Sequence, residues 1–194
     1  RNDAVPTRGY DVRYVRAHWT VDPNVRAITG TVTLHFQATT ALSELVMDLS
    51  DTLLLDQVRY HGSPVSATLS PDDLLNIPFG LEVAAGTLDS VTVDYHGVPR
   101  VQGGFGSFAI GQQPDSSAVL WTLSEPYGAK EWWPCKQDLN DKIDSADLYI
   151  TTPALYRAGS NGLLVSEVDE DGMTTYHWQH KYPIAYYLVS IAVA

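Results

Sequence analysis

Four groups of side chains in this sequence have the types and spacing to do chemistry: His177 with His180, the acidic run Asp169-Glu170-Asp171-Gly172, the single thiol Cys135, and the adjacent indoles Trp132 and Trp133. Two histidines at this spacing share one face of a helix and can hold a metal there, but on a strand they point to opposite faces. No Glu or third ligand lies near them in sequence, so a structural or surface role is expected. The acidic run lacks the alternating oxygen ligands and terminal Glu of a calcium loop and reads as a hairpin turn. Cys135 lies beside Pro134 and the two tryptophans, where a packed small hydrophobe is expected rather than a nucleophile. As the only cysteine it excludes an intramolecular disulfide and a cysteine zinc cluster. No serine sits in G-x-S-x-G, so a hydrolase triad has no anchor. The glycines of VQGGFGS (101–107) are not followed by a helix pattern that could cradle phosphate, and a surface loop is expected. Trp132 and Trp133 could stack on sugars. If both lie on a strand, one ring faces the core and the other faces out, which keeps a stand-alone carbohydrate-binding or adhesive module as the alternative reading.

The elements that must position these groups are strands. Ile28, Gly30, Val32, Leu34 and Phe36 alternate with Thr29, Thr31, Thr33 and His35, as a half-buried antiparallel strand requires. The same pattern recurs from Val12 to Trp19, Leu45 to Leu49, Val58 to Tyr60, Val65 to Leu69, Val91 to Tyr95, Val119 to Trp121, Ala146 to Thr151 and Tyr176 to Trp178. Turn residues separate the runs at Asp22-Pro23-Asn24, Gly62-Ser63-Pro64, Asn161-Gly162 and Asp169 to Gly172. Ser70-Pro71-Asp72-Asp73 predicts one short turn, and no amphipathic helix of useful length emerges. Many short strands with short turns predict an all-β fold, an antiparallel β-sandwich, with residues 1–194 forming a single domain.

Composition narrows the partners. The chain has 194 residues, 44% hydrophobic and 18% charged, which fits a packed globular core and argues against a disordered tail. A formal net charge of −11 without any basic block argues against nucleic acid. No apolar run approaches the roughly 20 residues of a membrane span. The chain begins with Arg1 and reaches Ala194 inside Tyr186 to Ala194, which reads as a buried strand, so a processed start and further sequence beyond residue 194 are expected.

One block resembles a known family. Thr122-Leu123-Ser124-Glu125-Pro126, Trp132-Trp133-Pro134-Cys135, Asp141-Lys142 and Asp147 to Pro153 follow the motif order of the N-terminal domain of zinc aminopeptidases of the aminopeptidase N family, gluzincin metallopeptidases that include leukotriene hydrolase. Ser160-Asn161-Gly162 and Tyr182 to Leu188 resemble that family's S-N-G turn and P-x-x-x-Y-L strand. Tyr10-Asp11-Val12 and Gly30-Thr31-Val32 resemble its opening hairpin, so the resemblance spans nearly the whole chain.

The resemblance implies a saddle-like β-sandwich packed over a catalytic domain of the same chain, which holds zinc outside this fragment and acts on peptide N-termini. It places Glu125 where the family's acidic residue helps bind the substrate's free α-amine. A carboxylate suits that task, because an ammonium losing hydration in a cleft regains charge-assisted hydrogen bonds. Neither H-E-x-x-H nor G-x-M-E-N occurs in residues 1–194, so this fragment alone is expected to be inactive. Leu123 stands where the family has Gln and cannot make an amide's polar contacts, so no role is carried over to it. Cys135-Lys136-Gln137-Asp138 likewise departs from a C-F-D-E-like run. The Glu131 to Cys135 segment resembles secreted bacterial members, and with the acidic charge it leads to the expectation of a secreted or periplasmic protein.

Overall fold

Alternation and one bulge set the first strand. In the computed structural model, which describes residues 8–100 and 107–194, the strand Tyr10–Asp22 buries Tyr10 and Val12 and then Val15, Ala17, Trp19 and Val21. A register shift between Val12 and Tyr14 makes Arg13 the extra residue of a β-bulge. The bulge moves the buried set from even to odd positions, so all these apolar side chains reach one face. The partner strand Val25–Ala38 buries Ile28, Val32, Leu34 and Phe36 as predicted. The predicted glycine loop lies outside the described residues, apart from Ser107.

Strands are numbered in chain order. An eight-stranded sheet runs, in spatial order, β14 (Leu163–Glu170), β15 (Met173–His180), β12 (Ser145–Pro153), β1 (Tyr10–Asp22), β2 (Val25–Ala38), β8 (Leu88–Gly97), β4 (Leu53–Tyr60) and β5 (Ser63–Pro64). A four-stranded sheet has the order β13 (Ala158–Ser160), β17 (Ile191–Val193), β10 (Ala118–Thr122) and β9 (Phe108–Gln112). A three-stranded sheet holds β3 (Leu42–Asp48), β7 (Leu74–Val83) and β6 (Thr68–Leu69), and β11 (Lys142–Ile143) pairs with β16 (Ile184–Ala185). Among the described residues every pairing is antiparallel except β1 with β12, which aligns Trp19 with Ile150 in parallel. The only helical segments described are two 3₁₀ turns, Ala129–Glu131 and Tyr186–Leu188, and the second corrects the strand expected over Tyr186 to Ala194, of which only Ile191–Val193 is strand. No described helix is long and apolar enough to cross a membrane. The chain is thus all-β and sandwich-like.

The smaller sheets share one core with the large one. Phe36 of β2 stacks on Phe79 of β7 with ring centroids 5.9 Å apart. Trp19 of β1 meets Trp132 at 4.8 Å and Trp133 at 6.2 Å.

The opposite face of the large sheet is polar and cross-linked. Tyr149 is stacked between His18 and His177, each at 4.1 Å. The Asp147 carboxylate lies 2.6 Å from His177 Nε2 and accepts from the Tyr14 hydroxyl at 2.8 Å and Gln179 Nε2 at 3.1 Å. Burial alone would raise the Asp147 pKa, but His177, Tyr14 and Gln179 outweigh it and hold the carboxyl below its usual range. A carboxylate depressed in the folded state stabilises above its unfolded pKa, near about 4, and that contribution is lost as pH falls through the folded value. Asp147→Asn is therefore expected to cost about 1 kcal/mol at pH 7 and to lessen the acid sensitivity below about pH 4. Urea unfolding at both pH values checks this, and equal acid sensitivity in the two proteins would place its source elsewhere.

Candidate functional site

The site starts from β10. Along Trp121 to Glu125 exposure alternates: Trp121, Leu123 and Glu125 face solvent while Thr122 and Ser124 are buried. β10 lies between β9 and β17, with Trp121 opposite Ala192. The Thr122 hydroxyl accepts the Ile191 amide at 3.0 Å, and the Leu123 amide donates to the Ser107 carbonyl at 3.1 Å. The chain then turns sharply, with the Ser124 carbonyl accepting the Gly128 amide at 2.8 Å and a cis peptide between Glu125 and Pro126. Gly128 is required there, since a Cβ would collide with the Ser107 side chain.

Distant motif blocks converge on this turn. Trp132 Nε1 donates to Ser124 Oγ at 2.9 Å, and the Tyr186 hydroxyl donates to the Pro126 carbonyl. The 3₁₀ turn that carries Tyr186 is in turn held by Asn161, whose Nδ2 donates to the Leu188 carbonyl at 2.9 Å and whose Oδ1 accepts the Ser190 amide at 2.8 Å. Gly162 beside it has φ +95°, and a Cβ there would strike the Gln179 carbonyl, so the S-N-G turn needs its glycine. The sequence blocks around positions 124, 132, 161 and 186 therefore meet in space.

The Glu125 carboxylate itself forms no ion pair among the described residues and is exposed. Its solvent-facing neighbours in sequence are apolar, namely Trp121, Leu123 and Tyr127, and Leu188 is exposed on the turn that carries Tyr186. A carboxylate with a free coordination sphere beside apolar surface can take up a cation without first breaking an internal bond. Glu131 is the acid that the sequence reading missed. It is 0% exposed, and the cation nearest to its carboxylate among the described residues is Arg100, with Nε at 3.8 Å. Burial pushes its pKa up, opposed by Arg100 and by the Ser50 hydroxyl. No pattern in the sequence marks this acid as buried, apart from the two tryptophans that follow it.

The other candidates resolve into structure. Trp132 and Trp133 are both 0% exposed, and they follow the Ala129–Glu131 turn rather than lying on a strand. The strand on which one ring would have faced out is not formed there, and neither indole can serve as a sugar platform. Cys135 is buried and its backbone exchanges two hydrogen bonds with Asp48, at 2.7 and 3.0 Å, while burial drives its thiol pKa up. Asp171 and Gly172 adopt positive φ values of 50° and 78° in the β14–β15 hairpin turn. Lys136, at a position departing from the family pattern, binds the Asp141 carboxylate and the Tyr10 carbonyl, both at 2.6 Å.

The residues described do not fit a zinc ion. No group of three His, Cys, Asp or Glu side chains among them could hold a metal, and His177 is committed to Asp147.

Solved structures that share this fold include zinc metallopeptidases. One is a two-domain M1 zinc metallopeptidase mutant bound to L-arginine, with 24% identity, a TM-score of 0.85 and coverage of 97% of this chain and 43% of that one. A mutant of the M1 zinc metallopeptidase from Deinococcus radiodurans bound to a Tyr-Ser-Ala substrate gives 24%, 0.85, 96% and 43%. The M1 zinc metallopeptidase from the same organism gives 24%, 0.85, 96% and 42%. At this identity the likeness is one of fold, and the chain spans less than half the length of each. Comparison with the curated proteins gives no match. Residues 8–188 match the model of the Peptidase M1 N-terminal domain, and the chain belongs to that family.

Proposed function

We propose that this chain is the N-terminal domain of a zinc aminopeptidase, that it walls one side of the active-site cleft, and that Glu125 receives the free α-amine of peptide substrates. The observation that carries the reading is an exposed carboxylate, free of ion pairs among the described residues and mounted on a backbone tied down on both sides, in a chain of the M1 N-terminal family. A bound ammonium exchanges hydration for charge-assisted hydrogen bonds, and the anchor measures the distance from the chain end that an exopeptidase must recognise. A catalytic domain of the same chain would hold the zinc and supply the general base, because the residues described here do not fit the metal. The apolar residues Trp121, Leu123, Tyr127 and Leu188 would face that domain. A secreted or periplasmic location belongs to the same proposal. It rests on the net charge of −11 and on the resemblance of the Glu131 to Cys135 segment to secreted bacterial members.

The test is hydrolysis of aminoacyl anilides by the full-length protein. It should cleave substrates with a free amine, leave their N-acetylated counterparts intact, and lose all activity when reduced to residues 1–194. Equal cleavage of blocked and free substrates would remove amine recognition from the account.

A further inference from the structure

We propose that Tyr186 and Ser124 are positioning residues for Glu125, fixing the direction from which its carboxylate meets a substrate ammonium; this rests on the reading of Glu125 as the amine-binding group. With no ion pair of its own among the described residues, Glu125 takes its direction from the backbone that carries it. That backbone is held on both flanks.

On the N-terminal flank Ser124 is 2% exposed, and its Oγ accepts from Trp132 Nε1 at 2.9 Å. The Trp132 carbonyl accepts from the Tyr95 hydroxyl at 2.7 Å, and that hydroxyl accepts from Trp19 Nε1 at 3.0 Å. A continuous series of hydrogen bonds thus runs from β1, within the large sheet, to the residue preceding Glu125. On the C-terminal flank the Tyr186 hydroxyl holds the Pro126 carbonyl from a ring that is 2% exposed. The turn bearing Tyr186 is itself clamped by Asn161. Pro126 is exposed, so water can replace the tyrosine hydroxyl as donor once it is removed. The loss then falls on orientation rather than on folding. Hydrogen bonds weaken steeply with misalignment, and a displacement of about 1 Å at a reacting group can cost about 10²-fold in rate.

In the full-length enzyme Tyr186→Phe is expected to lower kcat/KM for aminoacyl anilides about tenfold, chiefly through KM, with the melting temperature unchanged. Ser124→Ala tests the other flank and is expected to lower kcat/KM in the same direction, together with a lower melting temperature because it leaves the buried Trp132 Nε1 without an acceptor. Tyr176→Phe removes a comparable hydroxyl, which bonds the Tyr156 carbonyl at 3.2 Å from β15, and should leave kinetics unchanged. In a Glu125→Ala background neither Tyr186→Phe nor Ser124→Ala should have any further effect, because a residue that acts through Glu125 then has nothing to orient. Wild-type kinetics for both variants in an enzyme that Glu125→Ala impairs would overturn the proposal, as would full additivity in the double mutants. If Glu125→Ala is itself silent, the amine-binding reading fails, and positioning fails with it.

Discussion

Glu125→Ala in the full-length protein is expected, on the proposed amine-binding role, to lower kcat/KM for free N-termini by about 10- to 100-fold, with most of the change in KM. The magnitude follows from a hydrogen bond to a charged group, worth about 1.5 to 3 kcal/mol, at about 1.4 kcal/mol per factor of ten. The loss is not softened by internal rearrangement, because among the described residues the carboxylate has no ion-pair partner to leave stranded. Glu125→Gln retains an acceptor and the shape while losing the charge, so it should fall between wild type and alanine. Steady-state kinetics with a series of anilides measure all three proteins. Wild-type kcat/KM in Glu125→Ala would reduce this residue to a surface acid.

Trp132→Ala is expected to remove about 3 to 5 kcal/mol of stability, the usual cost of truncating a fully buried aromatic side chain. A domain typically holds about 5 to 15 kcal/mol in total, so this variant would sit close to unfolding at ambient temperature. The indole packs against both Trp19 and Trp133, and its Nε1 is the donor to Ser124. Its removal opens a cavity and also strands a buried hydroxyl. Urea titration of the domain gives the value. A loss below about 1 kcal/mol would mean that the site collapses around the missing ring.

The large features were legible because they rest on local rules. Period-two alternation located β1, β2, β8 and β12, but it missed β7 and β14, the latter exposed along its whole length and so without alternation, while Asp171-Gly172 and Asn161-Gly162 marked turns through residues that tolerate positive φ or close backbone approach. Glu125 was legible as a position, through motif order. Its surroundings were not, since the approach of Tyr186 to Pro126 depends on β10 and β13 both pairing with β17, which no local pattern announces. The Arg13 bulge was equally hidden, because one extra residue reads as ordinary strand until its partner is known. One outward tryptophan would have required a strand at Trp132 and Trp133. The 3₁₀ turn just before them suspends the alternation rule and lets both rings enter the core.

The parallel pairing of β1 with β12 governs the order in which this domain can assemble. β1 finds β2 almost at once through a tight hairpin, yet its other edge stays open until β12 has been synthesised, most of the chain later. Closing that edge requires a long loop to be drawn together first, and such pairings are slow and leave apolar strands exposed in the meantime. A ribosome-bound chain ending before Ser145 would therefore present five of the sheet's eight strands with an unprotected edge. Chaperone demand should peak in that interval and fall once β12 docks.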